Sequence, residues 1–347
     1  MPDSNSPPER IVVRVPQWLG DAVVSTVFVS RLRRRFPAAH IAVACRPYLE
    51  PVFAGHPHLD AVVPLPKSAG TFGAARLLKE GRFDTAYVLP KSARTALEPW
   101  LAGIPRRIGF GGDLRRVLFT ATRRYRFDLL YPRRYLALLD DDGVDLEATP
   151  PHFPSAEPPP DRLAAIFDGP PERRPRPFLA LAPASIAPAR TWDADRFTET
   201  VRRFQRDHGG TVILIGTEKE RAVIDGIKAQ LTGPVVDTGG KLSLPELGWL
   251  ISQCDRFLAN DSGLMHVAAC FRVPTVIPFG SSDPKLILPP WGTFAGPYRQ
   301  VIDCQPCRRN HCVRFAPLVN ACLKAVTVDD VSAELDRLGP LPERRHE

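Results

Sequence analysis

Short apolar runs alternate with longer helical patterns through most of this chain. Residues 11–15 (Ile-Val-Val-Arg-Val) predict a strand and residues 16–20 a loop. The stretch that follows predicts a helix with Val23, Val24, Val27, Phe28 and Leu32 on one face. Residues 41–44, 61–65 and 85–89 predict three further strands. Strands alternating with helices imply βα units on a mostly parallel sheet. The rhythm breaks at a proline-rich interval, residues 149–177, which holds Pro158-Pro159-Pro160 and Pro170-Pro171. Proline at that density interrupts helix and sheet alike. The expected division is therefore a first domain over residues 1–157, a linker over 158–177 and a second domain over 178–347. In the second domain the alternation restarts, with strands at 178–181, 211–215, 235–236, 256–259 and 275–277 and a helix over 244–253. A last helical pattern, residues 328–338, is able to pack back on the first domain. Two consecutive βα domains are expected to leave a cleft between them, a usual place for ligands.

Length and composition agree with that picture. The 347 residues are too many for one ordinary core and suit two α/β domains. Hydrophobic residues at 44% and charged residues at 24% are ordinary for a soluble enzyme. No stretch approaches the roughly 20 apolar residues that span a bilayer. Residues 1–10 lack the apolar core of a signal peptide, so a cytoplasmic location is expected.

Charge changes the picture more. The net charge is +8, and residues 91–134 alone hold eleven Lys/Arg against three Asp/Glu. A basic surface so concentrated suits an anionic partner: a phosphate-bearing ligand or an anionic membrane face. The other reading is a solvated face. No nucleic-acid module accompanies the charge, so nucleic acid is not expected as a partner.

Candidate chemistry gathers where strands end. Residues 257–259 are apolar and run into Asn260-Asp261-Ser262-Gly263 and then a helical pattern containing His266. Gly263 permits a tight turn, and Ser262 or Asp261 can cap the helix. Amides at such a helix start favour a diphosphate. His266 can add a donor, and Asp261 can accept from a sugar hydroxyl. Two earlier strand ends of the same domain offer compatible groups: Ser185 with Arg190, and Thr217 with the carboxylates that follow it, Glu218 and Glu220. In the first domain, the loop Gln17-Trp18-Leu19-Gly20-Asp21 ends the first strand. Asp21 is either a helix N-cap or a general base facing the cleft.

Four of the seven cysteines fall late, at Cys304, Cys307, Cys312 and Cys322. Disulfides are rare in the cytoplasm, so the spacing suggests either a small metal knuckle, with zinc as the structural ion, or partly buried free thiols.

Several passages together resemble glycosyltransferase family 9, the lipopolysaccharide heptosyltransferases. They are Trp18-Leu19-Gly20-Asp21, Tyr87-Val88-Leu89-Pro90 with Ala102-Gly103-Ile104-Pro105, Arg190-Thr191-Trp192, and Asn260-Asp261-Ser262-Gly263 through His266-Val267-Ala268. Gly239-Gly240-Lys241, Leu244-Pro245-Glu246-Leu247 and Phe279-Gly280 with Ser282-Asp283-Pro284 fit as well. The resemblance implies a GT-B-type α/β fold: two Rossmann-like doubly wound domains facing a central cleft, acceptor on the first and nucleotide sugar on the second. It implies inverting transfer of heptose from ADP-heptose to the lipid A–inner core acceptor, with no cofactor required for the chemistry. Asp21 would be the base. Ser185, Arg190, Thr217, Glu220, Asp261, Ser262, Gly263 and His266 would line the donor site. Lys91, Arg94, Arg106 and Arg107 would hold the phosphorylated acceptor, with peripheral contact to the inner membrane a further expectation. Two positions depart from the family pattern: Pro183-Ala184-Ser185 stands where Pro-Gly-Ala is usual, and Arg190 where lysine is usual. Arg keeps the charge in a planar fork, which leaves another nucleotide-sugar donor open. A nucleotide-sugar epimerase and a non-catalytic anionic-glycolipid-binding protein are the rival readings.

Overall fold

The apolar runs at residues 11–14 and 41–45 pair as neighbouring parallel strands, buried on both faces and therefore dependent on helices to cover them. The computed structural model describes residues 7–112 and 114–341. The chain divides into two units, Met1–Pro154 and Ser155–Glu347.

The first unit holds β1 (Arg10–Arg14), β2 (His40–Cys45), β3 (Ala61–Pro64), β4 (Thr85–Val88), β5 (Arg106–Gly111) and β6 (Ala121–Arg124). They form one parallel sheet in the order β3-β2-β1-β4-β5-β6. The second unit holds β7 (Phe178–Ala182), β8 (Thr211–Leu214), β9 (Val235–Asp237), β10 (Arg256–Ala259), β11 (Thr275–Val276) and β12 (Phe294–Ala295). Their order is β12-β11-β10-β7-β8-β9, again all parallel. Counted from each unit's own first strand, the two orders are the same. In each, the winding reverses between the first and fourth strands: β1 beside β4, and β7 beside β10. Loops leaving the carboxyl ends of those strands diverge, which is where doubly wound sheets take ligands.

Each switch point has a buried polar lock. In the first unit, Arg14 at the end of β1 donates from Nε to Glu98 Oε2 at 2.7 Å, with the two side chains only 3% and 1% exposed. Glu98 comes from the Ala93–Leu101 helix that follows β4. In the second unit, Asn260 follows β10 and is fully buried. Its Oδ1 accepts from the Trp192 N–H at 2.7 Å, and its Nδ2 donates to the Pro183 carbonyl at 2.6 Å. Asn260 thereby ties together the loops that leave β7 and β10.

Three strands escape the hydrophobic pattern. β5 reads Arg-Arg-Ile-Gly-Phe-Gly and β6 Ala-Thr-Arg-Arg, so neither shows an apolar run. Gly109 of β5 lets the Phe119 side chain lie against the sheet, since a Cβ there would fall 2.5 Å from its ring. β12 is two residues long.

The linker expected over residues 158–177 is part of the second unit. Pro160 begins the Pro160–Phe167 helix, where a missing N–H is tolerated, and Leu163, Ile166 and Phe167 are buried. The last helix, Val328–Arg337, is opened by a Thr327–Asp330 capping box. It buries Val331 and Leu335 with Trp192, Phe197 and Val201. Its apolar face thus joins the second unit's own core.

Candidate active site

At the first switch point β1 leads into the Leu19–Arg35 helix. Trp18 occupies the N-cap and makes no side-chain capping bond. Asp21 lies inside the first turn, so it is not the N-cap. A carboxylate there is favoured by the helix dipole. Its Oδ1 accepts from both the Tyr131 and Tyr135 hydroxyls, each at 2.5 Å. Lys91, in the loop after β4, lies over the Tyr125 ring at 3.9 Å and the Phe127 ring at 4.5 Å. Burial and the neighbouring Arg134 lower its pKa, and Asp21 works against that shift. Arg94 sits one turn before Glu98, 3.7 Å from Oε1.

Arg106 and Arg107 lie elsewhere. They open β5, at the amino edge of the sheet, whereas Asp21 and Lys91 follow carboxyl ends. Arg106 Nη2 is 3.3 Å from Asp84 Oδ1. Arg107 donates to the carbonyls of Leu118 at 2.7 Å and Pro105 at 3.2 Å. The four basic residues expected at the acceptor therefore separate into two pairs at opposite edges.

At the second switch point Arg190 is held from two sides. Its Nη2 donates to Asn310 Oδ1 at 2.6 Å, and its Nη1 stands 3.8 Å from Asp261 Oδ2. The same Asp261 oxygen accepts from the Ser282 hydroxyl at 2.6 Å. Burial raises the Asp261 pKa, and Arg190 and Ser282 oppose that shift. Asp261 thus serves Arg190 and Ser282 at this oxygen. The Ser262 Oγ is shielded from solvent and has no hydrogen-bond partner among the described residues. A shielded hydroxyl in that state is unfavourable until something fills its hydrogen bond. His266 is buried, and burial lowers its pKa to about 4, so it is neutral near pH 7.

Other residues expected at the donor site have local partners. Gly263 has ordinary helical angles (φ −59°, ψ −28°) at the start of Leu264–Cys270, with no side-chain capping bond. The expected glycine turn and Asp261/Ser262 cap are therefore not formed. The Thr217 N–H and hydroxyl both donate to Glu220 Oε2, at 2.7 and 3.0 Å, which closes a capping box. Ser185 Oγ accepts from the Ala187 N–H at 3.2 Å.

A family model described as glycosyltransferase family 9 (heptosyltransferase) matches residues 72–315. Lipopolysaccharide heptosyltransferase 2 of Escherichia coli K12 is 31% identical over 300 residues, which cover 81% of this chain and 85% of that protein. The chain belongs to glycosyltransferase family 9. The solved E. coli ADP-heptose LPS heptosyltransferase II is 28% identical with a TM-score of 0.74, over 95% of this chain and 98% of that one. A family 9 glycosyl transferase from Veillonella parvula, 22% identical, shares the fold with a TM-score of 0.78 over 95% of this chain and 97% of its own. The two parallel α/β units are those of a GT-B-type enzyme, as the family resemblance implies. Membership also sets aside the epimerase and the non-catalytic binding protein.

In this family 9 chain the late cysteines lie beside the loops that follow β7 and β11. Cys304, Cys307, Cys312 and Cys322 line one small cavity together with Ala189 and Ser281. All four are free thiols. Among the described residues no three His, Cys, Asp or Glu side chains are grouped to hold a metal ion. The zinc knuckle suggested by their spacing thus has no grouped ligand set among the described residues. Two N–H groups, of Asn320 and then Arg314, pull the Cys312 thiol below its ordinary range. The same segment supports the Arg190 turn: Asn310 O accepts from the Ala189 N–H at 3.0 Å, and Asn320 Nδ2 donates to Pro188 O at 3.2 Å.

The tyrosines around Asp21, and Asn310 beside Arg190, were not legible as site residues. The Tyr-x3-Tyr spacing of residues 131 and 135 is the one signal that could have found the first pair. It places both rings on one helix face.

Proposed function

We propose that this family 9 glycosyltransferase moves heptose from ADP-heptose to the inner core of lipopolysaccharide with inversion, using Asp21 as general base. The observation that carries the reading is the pairing of unlike chemistry with like topology. One switch point presents a tethered carboxylate, Asp21, and the other an arginine, Arg190, beside the unfilled Ser262 hydroxyl. The names of the relatives supply the sugar, the nucleotide and the acceptor class.

In the proposed reaction an acceptor hydroxyl attacks the anomeric carbon of the donor. The new C–O bond forms as the bond from that carbon to the diphosphate oxygen breaks. The hydroxyl proton passes to Asp21, a general-base contribution of about 10²- to 10⁴-fold. ADP leaves with the electron pair, and its developing charge meets Arg190, Ser262 and the neutral His266. Every step is assigned to groups of this chain, without a cofactor.

Lys91 and Arg94 are the proposed acceptor cations; Arg106 and Arg107 are left out because their partners are structural. Leu114 and Val117, 91% and 78% exposed, flank Arg115 and Arg116 in the turn after β5. Exposed apolar side chains on either side of a basic pair suit the surface of an anionic bilayer, which supports peripheral contact with the cytoplasmic membrane face. No helix among the described residues is long and apolar enough to cross a membrane.

The test is a mass-spectrometric transfer assay with ADP-heptose, other ADP- and UDP-sugars, and lipid-linked inner-core acceptors. Heptose addition should be seen from ADP-heptose, with Asp21→Asn folded, able to bind ADP and nearly inactive. Transfer from a different nucleotide sugar alone would replace the donor in this reading. Wild-type kcat in the Asn variant would remove Asp21 from the mechanism.

A further inference from the structure

Asp21 is met by two hydroxyls that the family motifs do not contain. Tyr131 and Tyr135 project from one face of the Tyr131–Leu136 helix, which packs on the Leu19–Arg35 helix. Both donate to the same carboxylate oxygen, Oδ1, at 2.5 Å. Their own oxygens are 3.5 Å apart and their ring centroids 5.8 Å. The tyrosine helix is anchored independently of this contact. Arg134 Nε donates to Leu129 O at 2.8 Å, and its Nη2 to Phe127 O at 3.3 Å.

Neutral O–H donors on a carboxylate favour its ionised form. Two of them on one oxygen also restrict rotation about the Cβ–Cγ bond, so the plane of the group is set. Burial, followed by the charge of Asp21, pushes both tyrosines well above the ordinary phenol range. They therefore remain donors near neutral pH.

We propose that Tyr131 and Tyr135 are positioning residues that keep Asp21 ionised and orient its carboxylate toward the acceptor hydroxyl. The proposal rests on Asp21 being the base. Among the described residues, Tyr48 after β2, Lys91 after β4 and Tyr125 after β6 also face Asp21 electrostatically. Lys91 favours the same ionised state, so the share of the tyrosines is read in variants that retain it.

The experiment compares kcat/KM against pH for wild type, Tyr131→Phe, Tyr135→Phe and the double variant, with Asp21→Asn in the same assay. Each change to Phe deletes a hydroxyl and keeps the ring. The acid limb should move toward neutral pH by about one unit for each hydroxyl lost. In the double variant kcat on the plateau should fall roughly tenfold through loss of orientation. ADP affinity, read by calorimetry, should stay at the wild-type value. A folded double variant with an unmoved acid limb overturns the proposal even if its Tm is lower, because a purely structural pair would give that result. If the double variant does not fold, the two single variants decide by the same criterion. An active Asp21→Asn enzyme would instead sink the base assignment itself. An inactive one with unmoved limbs in the tyrosine variants sinks only this proposal.

Discussion

The two units repeat one strand order yet secure their switch points by opposite means. The first buries a charge pair, Arg14 with Glu98, and the second buries a neutral amide, Asn260. The surroundings differ in the same sense. Around Glu98 stand Arg14, Arg94 and Arg46, and Arg46 is depressed by burial and by those two cations. Two residues before Trp192, which Asn260 holds, Arg190 already has Asp261 and Asn310 as partners. The first edge is therefore a field of cations around a single buried anion, and the second a balanced polar site. Topology places the loops; a few side chains at each loop decide which ligand chemistry they suit.

The largest expected effect of breaking this contrast is on stability of the first unit. Glu98→Gln would leave Arg14 buried without its counter-charge, and urea denaturation should show a loss of about 3–5 kcal/mol. A loss under about 1 kcal/mol would mean that the pair behaves like an exposed one. Asn260→Ala should come next. It strips the Trp192 N–H and the Pro183 carbonyl of their partner, at about 1 kcal/mol for each, the low end for an unsatisfied group because the vacated polar space can take a water. Were Asn260→Ala to cost more than Glu98→Gln, the contrast between charged and neutral locks would be reversed.

Arg190→Ala should act on binding more than on stability. Loss of a charge-assisted contact to the diphosphate should weaken ADP roughly tenfold by calorimetry and leave acceptor KM unchanged. Unchanged ADP affinity would place Arg190 outside the donor site. The smallest effect is a pH dependence centred on His56 in the first unit. Its ring is buried, with His58 and His152 rings at 5.7 and 4.8 Å, and burial followed by those neighbours lowers its pKa to about 3. The unfolded chain takes up this proton near pH 6.5 and the folded one far lower. The contribution is therefore intact above about pH 6.5 and is lost as pH falls toward 3, by at most about 1.4 kcal/mol per pH unit. His56→Gln should flatten the change in urea midpoint between pH 7 and pH 5. An unaltered slope would assign the acid sensitivity to other groups, His266 in the second unit among them.

Much of the fold was legible because fully buried parallel strands need unbroken apolar runs. β1, β2, β7, β8 and β10 all show them. β5 and β6 did not, since their residues are basic or glycine and they lie toward the sheet edge. The residues 158–177 misled for a related reason. Proline reads as interruption, yet Pro160 stands at the one turn of a helix that tolerates it.

By itself the sequence determined the α/β class, the βα rhythm of two units, the family and the strand-end residues Asp21, Arg190, Asp261 and Ser262. These are local: an apolar run, a turn and the polar residue that follows it are near neighbours along the chain. Only the tertiary structure decided what those residues touch. Asp21 meets hydroxyls 110 and 114 positions away, and Arg190 an amide 120 positions away. Arg106 and Arg107 look equivalent to Lys91 and Arg94 in a charge count, but strand direction sends them to the opposite edge. The cysteine spacing suggested a metal; that the same segment reaches Arg190 through Asn310 is visible only in the tertiary structure. Charge and residue type are properties of the chain, but partner, edge and burial arise only when distant segments close on one another.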